Sequence, residues 1–292
     1  MDGLMKGTLT GSLESAKQRA RAVANSGQPY SGFVELVRKV YPWRFEKLSA
    51  TVLDRDYLRV VDHHLEHLIP RVGRYLGPDI QHVLDFGCGS GGSAIALALV
   101  YPNVTCTGTD IDPEEVAIAR ERAKLYGVAD RCEFHSTCAG QPLPFQDGSF
   151  DFCQCSSVLE YAVDVDVRRF CIHEMARLLR PQGLLFCSVP NRLYPFEIHT
   201  RKWGWNHFPK LLHAHTVDCT AWEVKRLALP WVLRLYRTPW IELFRPWSSF
   251  CLQRETGILT AAKTSATGSS RTVLGPEKRF INMLILEEFL RQ

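Results

Sequence analysis

The sequence predicts an α/β protein: a parallel sheet with helices on both faces, preceded by a helical segment and carrying an aromatic-rich addition. Three observations carry that reading. The apolar run Val83-Leu84 ends in Asp85 and Phe86, and four glycines follow within the six positions 87–92. The next stretch, Ser93 to Val100, is a strong helix former. From about residue 80 to 190, strand-like and helix-like patterns alternate, as they do when parallel strands are joined by helical crossovers.

Taken in order, residues 1–12 are small and polar and are expected to form a mobile end. Residues 13–76 read as several helices. Val34, Leu36, Val37 and Val40, then Leu58, Val60, Val61, Leu65, Leu68 and Ile69, recur at helical spacing, and Pro42 and Pro70 break the run. Strand one is expected over 82–86 and strand two over 104–109, closed by Asp110. Asp112-Pro113-Glu114-Glu115 opens a helix, with a capping acid, a proline in the first turn and acids at the positive helix end. Strand three is expected at 132–135, strand four at 150–155 and a helix at 165–179. Pro181-Gln182-Gly183 then turns into strand five at 184–189. Residues 190–247 hold six of the seven tryptophans. Strand patterns resume near 250–252 and at 281–286, with a polar hairpin loop expected over 255–279.

Composition narrows the function classes. The 292 residues are 46% apolar and 23% charged, as in soluble globular proteins, and the formal charge of +4 comes without a dense basic stripe. Nucleic acid is therefore not an expected partner. No apolar run approaches the ~18 residues needed to span a membrane, and the start lacks a secretory pattern, so a cytoplasmic protein is expected. The ten cysteines contain no C-x-x-C pair and read as reduced, mostly buried thiols.

The glycines carry the chemistry. A glycine turn between a strand and a helix start exposes backbone to a nucleotide-like ligand. Gly87, Gly89 and Gly92 also satisfy G-x-G-x-x-G, so a nicotinamide or flavin dinucleotide is open on this feature alone. Asp110 suits either ligand, because a carboxylate closing strand two accepts ribose hydroxyls. Asp85 separates them. A carboxylate two residues before the first glycine repels a pyrophosphate and suits a ligand with a positive amino group.

Further segments follow in order: Leu143-Pro144-Phe145 through Asp151, then Val158-Leu159-Glu160, then Arg177-Leu178-Leu179-Arg180-Pro181-Gln182-Gly183. With Asp85-Phe86-Gly87-Cys88-Gly89-Ser90-Gly91, the chain over roughly 80–190 resembles the class I S-adenosylmethionine-dependent methyltransferases of the small-molecule type. It departs from them in lacking an acid near Ala139 for the adenine amino group, in Tyr161 for the usual His, and in Gln182 for the usual Gly. The resemblance implies a Rossmann-like seven-stranded, mostly parallel sheet with the last strand antiparallel. It further implies a helical cap over 1–78, a cofactor-binding core over 79–190, a substrate-side insertion over 191–247 and C-terminal strands over 248–292. The implied cofactor is S-adenosylmethionine and the implied partner a small-molecule acceptor.

The same resemblance assigns expected roles. Gly87, Cys88, Gly89 and Gly91 let backbone approach the methionine part, and Asp85 holds its amino group directly or through water. Asp110 takes the ribose hydroxyls and Ile111 packs on adenine, whose edge meets Cys138 and Ala139. The acceptor is expected near Ser156, Glu160 and Asn191. Glu197 and His199 lie two apart, so an extended chain aims them the same way, as a general base with an orienting partner or as a loop salt bridge. Glu160 is either functional or an exposed helix acid.

Other constellations weigh less. His63-His64-Leu65-Glu66-His67 contains H-x-x-E-H, but no third ligand is identifiable and no metal site is expected. Pro-Trp recurs at 42–43, 230–231, 239–240 and 246–247. Core packing of a cap is the first reading of these pairs, and an aromatic wall for an apolar acceptor the second. Membrane-surface contact is the third, since Arg226, Arg234, Arg237 and Arg245 interleave with the tryptophans. Two rival functions remain, an NAD-dependent oxidoreductase and a cofactor-binding regulator without transferase activity.

Overall fold

The computed structural model describes residues 2–191, 196–197, 202–203, 219–243, 245 and 247–258. Seven strands form one sheet in the order β3-β2-β1-β4-β5-β9-β8. They are β1 (His82–Phe86), β2 (Thr105–Asp110), β3 (Cys132–Ser136), β4 (Phe150–Ser156), β5 (Leu179–Pro190), β8 (Trp231–Leu235) and β9 (Trp247–Ile258). A separate two-residue pair joins β6 (Phe196–Glu197) to β7 (Lys202–Trp203). The chain divides into two compact units, residues 1–141 with 149–155 and residues 142–148 with those from 156 on.

In the first unit, β1 pairs in parallel with β2 and β4, and β2 with β3. α7 (Gly92–Val100) and α8 (Pro113–Leu125) pack on β2 and β3. α1 (Asp2–Ala24) and α5 (Val60–His67) cover α7 from the other side. Every residue of α7 is therefore buried, which is why its sequence is apolar all round rather than striped. α2 (Gln28–Val40) packs on α8, and Phe33, Val37 and Tyr41 join Ile118 in one apolar cluster. α3 (Pro42–Lys47), α4 (Ala50–Leu53) and a π-turn (Asp54–Leu58) lead to α5 and α6 (Ile69–Val72). The α8 start is as the sequence predicts: the Asp112 side chain accepts from the N–H groups of Glu114 (2.8 Å) and Glu115 (3.3 Å).

The second unit holds β5, β9 and β8, with β9 antiparallel to both neighbours. α9 (Val165–Leu178) packs on β5 and β8, α10 (Ala221–Leu227) on α9 and β8, and α11 (Trp240–Leu243) on β9. Two segments singled out by the sequence prove to be one clamp. Arg177 donates to the carbonyls of Phe145 (2.9 Å) and Leu143 (3.2 Å), to Asp147 and to Glu174. Glu174 in turn accepts the Leu143 N–H at 2.6 Å.

The structure differs from the sequence reading in four places. The first helix begins at Asp2, so residues 2–12 extend a helix; adding residues to an existing helix costs far less than nucleating one. β5 begins at Leu179, and the Pro181-Gln182-Gly183 turn lies inside it, with Gln182 at φ 68°, in the left-handed region that favours glycine. The sixth strand of the sheet is β8, within a stretch read as Trp-rich insertion. The strand expected at 250–252 is the middle of β9, which continues through Ile258 into the expected hairpin loop. The strand expected at 281–286 lies outside the described residues.

Candidate functional site

The glycine turn sits between β1 and α7, and its backbone conformation requires glycine. Gly87, Gly89 and Gly91 have φ of 72°, 49° and 79°. At Gly91 a Cβ would also meet the Ala119 Cβ and the Phe134 ring, each at 2.9 Å. At Gly89 nothing lies within 4 Å of the Cβ position, so this residue faces open space. Gly91 is thus glycine for close packing, and Gly89 presents bare backbone to whatever approaches the turn.

Asp110 closes β2 and ties the turn in place. Its Oδ2 accepts the Gly89 N–H at 2.8 Å and its Oδ1 accepts the Asp112 N–H at 3.0 Å. Each carboxylate oxygen keeps a second acceptor position. Burial raises the Asp110 pKa, opposed by the N–H groups of Asp112 and Gly89. The Asp110 carbonyl accepts from Thr137 N–H (2.8 Å) and Thr137 Oγ1 (3.2 Å), which fastens the loop after β3 beside it. That loop carries Cys138, exposed, and Ala139, half-buried. Ile111 is half-buried beside Asp110, and Cys88 is buried in the turn.

Asp85 lies beneath the turn rather than beside it. It is 2% exposed. Ser93 Oγ donates to one oxygen and Gln154 Nε2 to the other at 3.2 Å, and the Ala94 N–H adds a third bond. Burial lifts its pKa to about 6. These partners pin β1 to β4 and to the first turn of α7. The Gln154 Oε1 is buried without a partner among the described residues. Asp151 is a second structural carboxylate, accepting the N–H groups of Gln81 and His82 at 2.8 Å each, where β1 begins.

In the second unit, Ser156 ends β4 with its Oγ buried and without a hydrogen-bond partner among the described residues. Glu160 lies in the turn that follows and is fully buried, which corrects the alternative of an exposed helix acid. The apolar run Val158-Leu159 draws this turn inward, so the acid goes with it. Glu197 lies in β6, opposite Lys202. His199 lies outside the described residues. Asn191 is 2% exposed, and its amide donates to the carbonyls of Leu243 (2.8 Å) and Arg245 (2.9 Å), so that donor group serves the fold.

The histidines at 63, 64 and 67 lie on α5. The rings of His63 and His67 stand 4.6 Å apart. His64 packs on Gly92, where a Cβ would meet its Cδ2 at 2.8 Å, and burial lowers its pKa to about 3. Among the described residues no group of three or more His, Cys, Asp or Glu side chains is placed to hold a metal ion. No helix among them is long and apolar enough to cross a membrane. Trp222 and Trp240 are exposed, whereas Trp247 donates to Ser188 Oγ at 2.8 Å and Trp231 lies under the Arg254 guanidinium at 4.1 Å.

Three groups sequence reasoning missed surround this turn. Arg122, Arg44 and Tyr41 are all buried and bonded to the glycine turn or to the residues after Asp110. No local pattern marks them, because burial of a lone Arg or Tyr is decided by distant packing.

Comparison with known proteins bears on the same stretch. The family described as "Methyltransferase domain" matches residues 83–183. Norajmaline N-methyltransferase of Rauvolfia serpentina is 35% identical over 35% of this chain and 33% of its own length. The 27-O-demethylrifamycin SV methyltransferase of Amycolatopsis mediterranei (strain S699) is 32% identical over 56% of this chain and 59% of its own. The chain thus spans less than two thirds of either relative. Among solved structures, the PH0226 protein of Pyrococcus horikoshii OT3 superposes with a TM-score of 0.50 at 19% identity, covering 73% of this chain and 98% of that one, a likeness of fold.

Proposed function

We propose that this chain, whose residues 83–183 match the family described as "Methyltransferase domain", is a class I S-adenosylmethionine-dependent methyltransferase and transfers a methyl group to a small acceptor that is in large part apolar or aromatic. One observation carries the reading: the Asp110 carboxylate is bonded to Gly89 of a turn whose open side is bare backbone. A carboxylate with spare acceptor positions beside such a turn matches a ribose with two hydroxyls, and the left-handed glycines match a chain that must approach backbone closely.

When bound, S-adenosylmethionine supplies an electrophilic methyl on a sulfonium. In this reading Asp110 holds the ribose hydroxyls, Ile111 packs on adenine, and Cys138 and Ala139 border its edge. Backbone at Gly87, Cys88, Gly89 and Gly91 admits the methionine part, and Ser156 offers a hydroxyl in need of a partner. Asp85 acts through the turn it supports, because its oxygens are engaged by Ser93, Ala94 and Gln154. An in-line displacement requires the acceptor atom to be aligned and water to be excluded. Glu160, Glu197 and His199 are the groups we propose for proton removal from the acceptor. The Trp-rich region supports an apolar or aromatic acceptor by its composition.

Calorimetry on the full chain with S-adenosylhomocysteine and with NAD tests the cofactor. Binding of the thioether and not of NAD is expected; the reverse sinks the reading in favour of an oxidoreductase. Incubation with metabolite extract and labelled cofactor then seeks a product heavier by one methyl. A chain that binds the thioether but methylates nothing is better described as a regulator.

A further inference from the structure

We propose that Arg122 is a positioning residue for the glycine turn, and that through it the order of residues 28–58 and occupation of the cofactor seat form one equilibrium. This rests on the cofactor reading above and deepens it.

Arg122 lies on α8 and is fully buried. Among the described residues no carboxylate forms an ion pair with it, so its charge is met by neutral acceptors. Nη1 donates to the Ser90 carbonyl at 3.1 Å and to Ser90 Oγ at 2.9 Å, and Nη2 donates to the Tyr57 carbonyl. The Phe33 ring stands 5.0 Å from its Cζ. One side chain therefore joins α8, the glycine turn, α2 and the π-turn. The π-turn is a wide one, closed by the Arg59 N–H on the Asp54 carbonyl, and such turns cluster where a helix has been adapted to a local need. Here it delivers a main-chain acceptor to a buried cation. Burial lowers the Arg122 pKa to about 10, so the cation persists at neutral pH.

Two further contacts run from the same segment to the other side of the seat. Tyr41 Oη donates to Asp112 Oδ2 at 3.1 Å, and Arg44 Nη2 to Glu115 Oε1 at 2.6 Å. Asp112 in turn donates its N–H to Asp110. Residues 28–58 thus meet the glycine turn through Arg122, the loop after Asp110 through Tyr41, and the first turn of α8 through Arg44. A ligand that fixes both loops fixes the surfaces on which this segment rests, and by linkage the ordered segment strengthens ligand binding by the same factor. The planar guanidinium spans Ser90 and Tyr57 at once; a lysine ammonium keeps the charge but loses the fork.

Amide hydrogen exchange on the full chain, with and without S-adenosylhomocysteine, tests this in wild type, Arg122→Lys and Ser90→Ala. In wild type the ligand is expected to slow exchange over 87–92 and over 28–58. In Arg122→Lys the dissociation constant is expected to rise about tenfold. At saturation 87–92 is still slowed, but the slowing over 28–58 is lost. Ser90→Ala removes one acceptor and leaves two carbonyls on the cation. It should show a partial loss of the same kind, and it decides the matter if Arg122→Lys does not fold. A merely structural Arg122 would alter exchange with and without ligand alike. Ligand-induced slowing over 28–58 that persists in every folded variant, or that never occurs in wild type, overturns the coupling. Failure of wild type to bind the thioether at all overturns the cofactor reading and the coupling with it.

Discussion

Replacing Asp85 with Asn isolates the cost of ionising a carboxyl that the fold encloses. Burial raises its pKa from 3.8 to about 6, against hydrogen bonds from Ser93, Ala94 and Gln154 that pull the other way. The folded protein therefore holds a proton that the unfolded chain has released between those two values. Its contribution to stability is fully present below the unfolded pKa and is lost as pH rises through the folded one. The shift corresponds to about 3 kcal/mol in all, of which about 2 kcal/mol develops between pH 4 and 7.5. Asn accepts from Ser93 and Ala94 as Asp does, and Gln154 can turn its amide to present Oε1, which is buried and unpartnered among the described residues, to the new Asn Nδ2. Urea denaturation of wild type and Asp85→Asn at both pH values provides the assay, since titration of other groups cancels in the difference. The variant should gain about 2 kcal/mol on wild type from pH 4 to 7.5. A gap that stays constant, or that moves the other way, refutes the assignment of Asp85 as an enclosed carboxyl of raised pKa.

Three further outcomes follow from the same geometry. Asp110→Ala should weaken S-adenosylhomocysteine binding by about 1–3 kcal/mol, because charge-assisted hydrogen bonds are lost, and unchanged calorimetric affinity would show that the ribose lies elsewhere. Gly91→Ala should lower thermal stability far more than Gly89→Ala. Both incur about 1–2 kcal/mol of left-handed strain, but only Gly91 adds overlap with Ala119 and Phe134. Equal losses of Tm would contradict the open space at Gly89. Arg44→Met should destabilise the protein by about 3–5 kcal/mol by leaving Glu115 half-buried and unpaired, read from urea denaturation followed by circular dichroism; a loss below 1 kcal/mol would mean that the pair is solvent-screened.

What the sequence made legible was local. The glycine turn declares itself because left-handed backbone tolerates almost nothing else, and the α8 cap because an acid, a proline and two more acids have one shared use. β8 stayed hidden because Trp231-Val232-Leu233-Arg234-Leu235 lacks clean alternation and sits among tryptophans that suited a cap. The enclosure of Asp85 could not be read, since its partners lie 8 and 69 residues away. The buried cations Arg44 and Arg122 were invisible for the same reason, because a charged residue carries no local mark of whether the fold will surround it. The start of β5 was misplaced because Pro-Gln-Gly is a turn signal, and the strand absorbs it through the left-handed Gln182.

Cysteine chemistry gives the loop after β3 a practical use. Of the ten thiols eight are buried, Cys171 is intermediate and Cys138 is exposed. Burial pushes the pKa of Cys88, Cys153 and Cys251 up, and a hydrogen bond with Cys132 together with burial does the same for Cys106, so those thiolates are scarce at neutral pH as well as enclosed. An alkylating reagent at short exposure therefore labels Cys138 before any of these. Its label sits one residue beyond Thr137, which is bonded to the Asp110 carbonyl. On the proposed placement of Cys138 at the adenine edge, its rate of alkylation should fall as S-adenosylhomocysteine binds, a readout that works before any acceptor is known; an unchanged rate would place the adenine elsewhere.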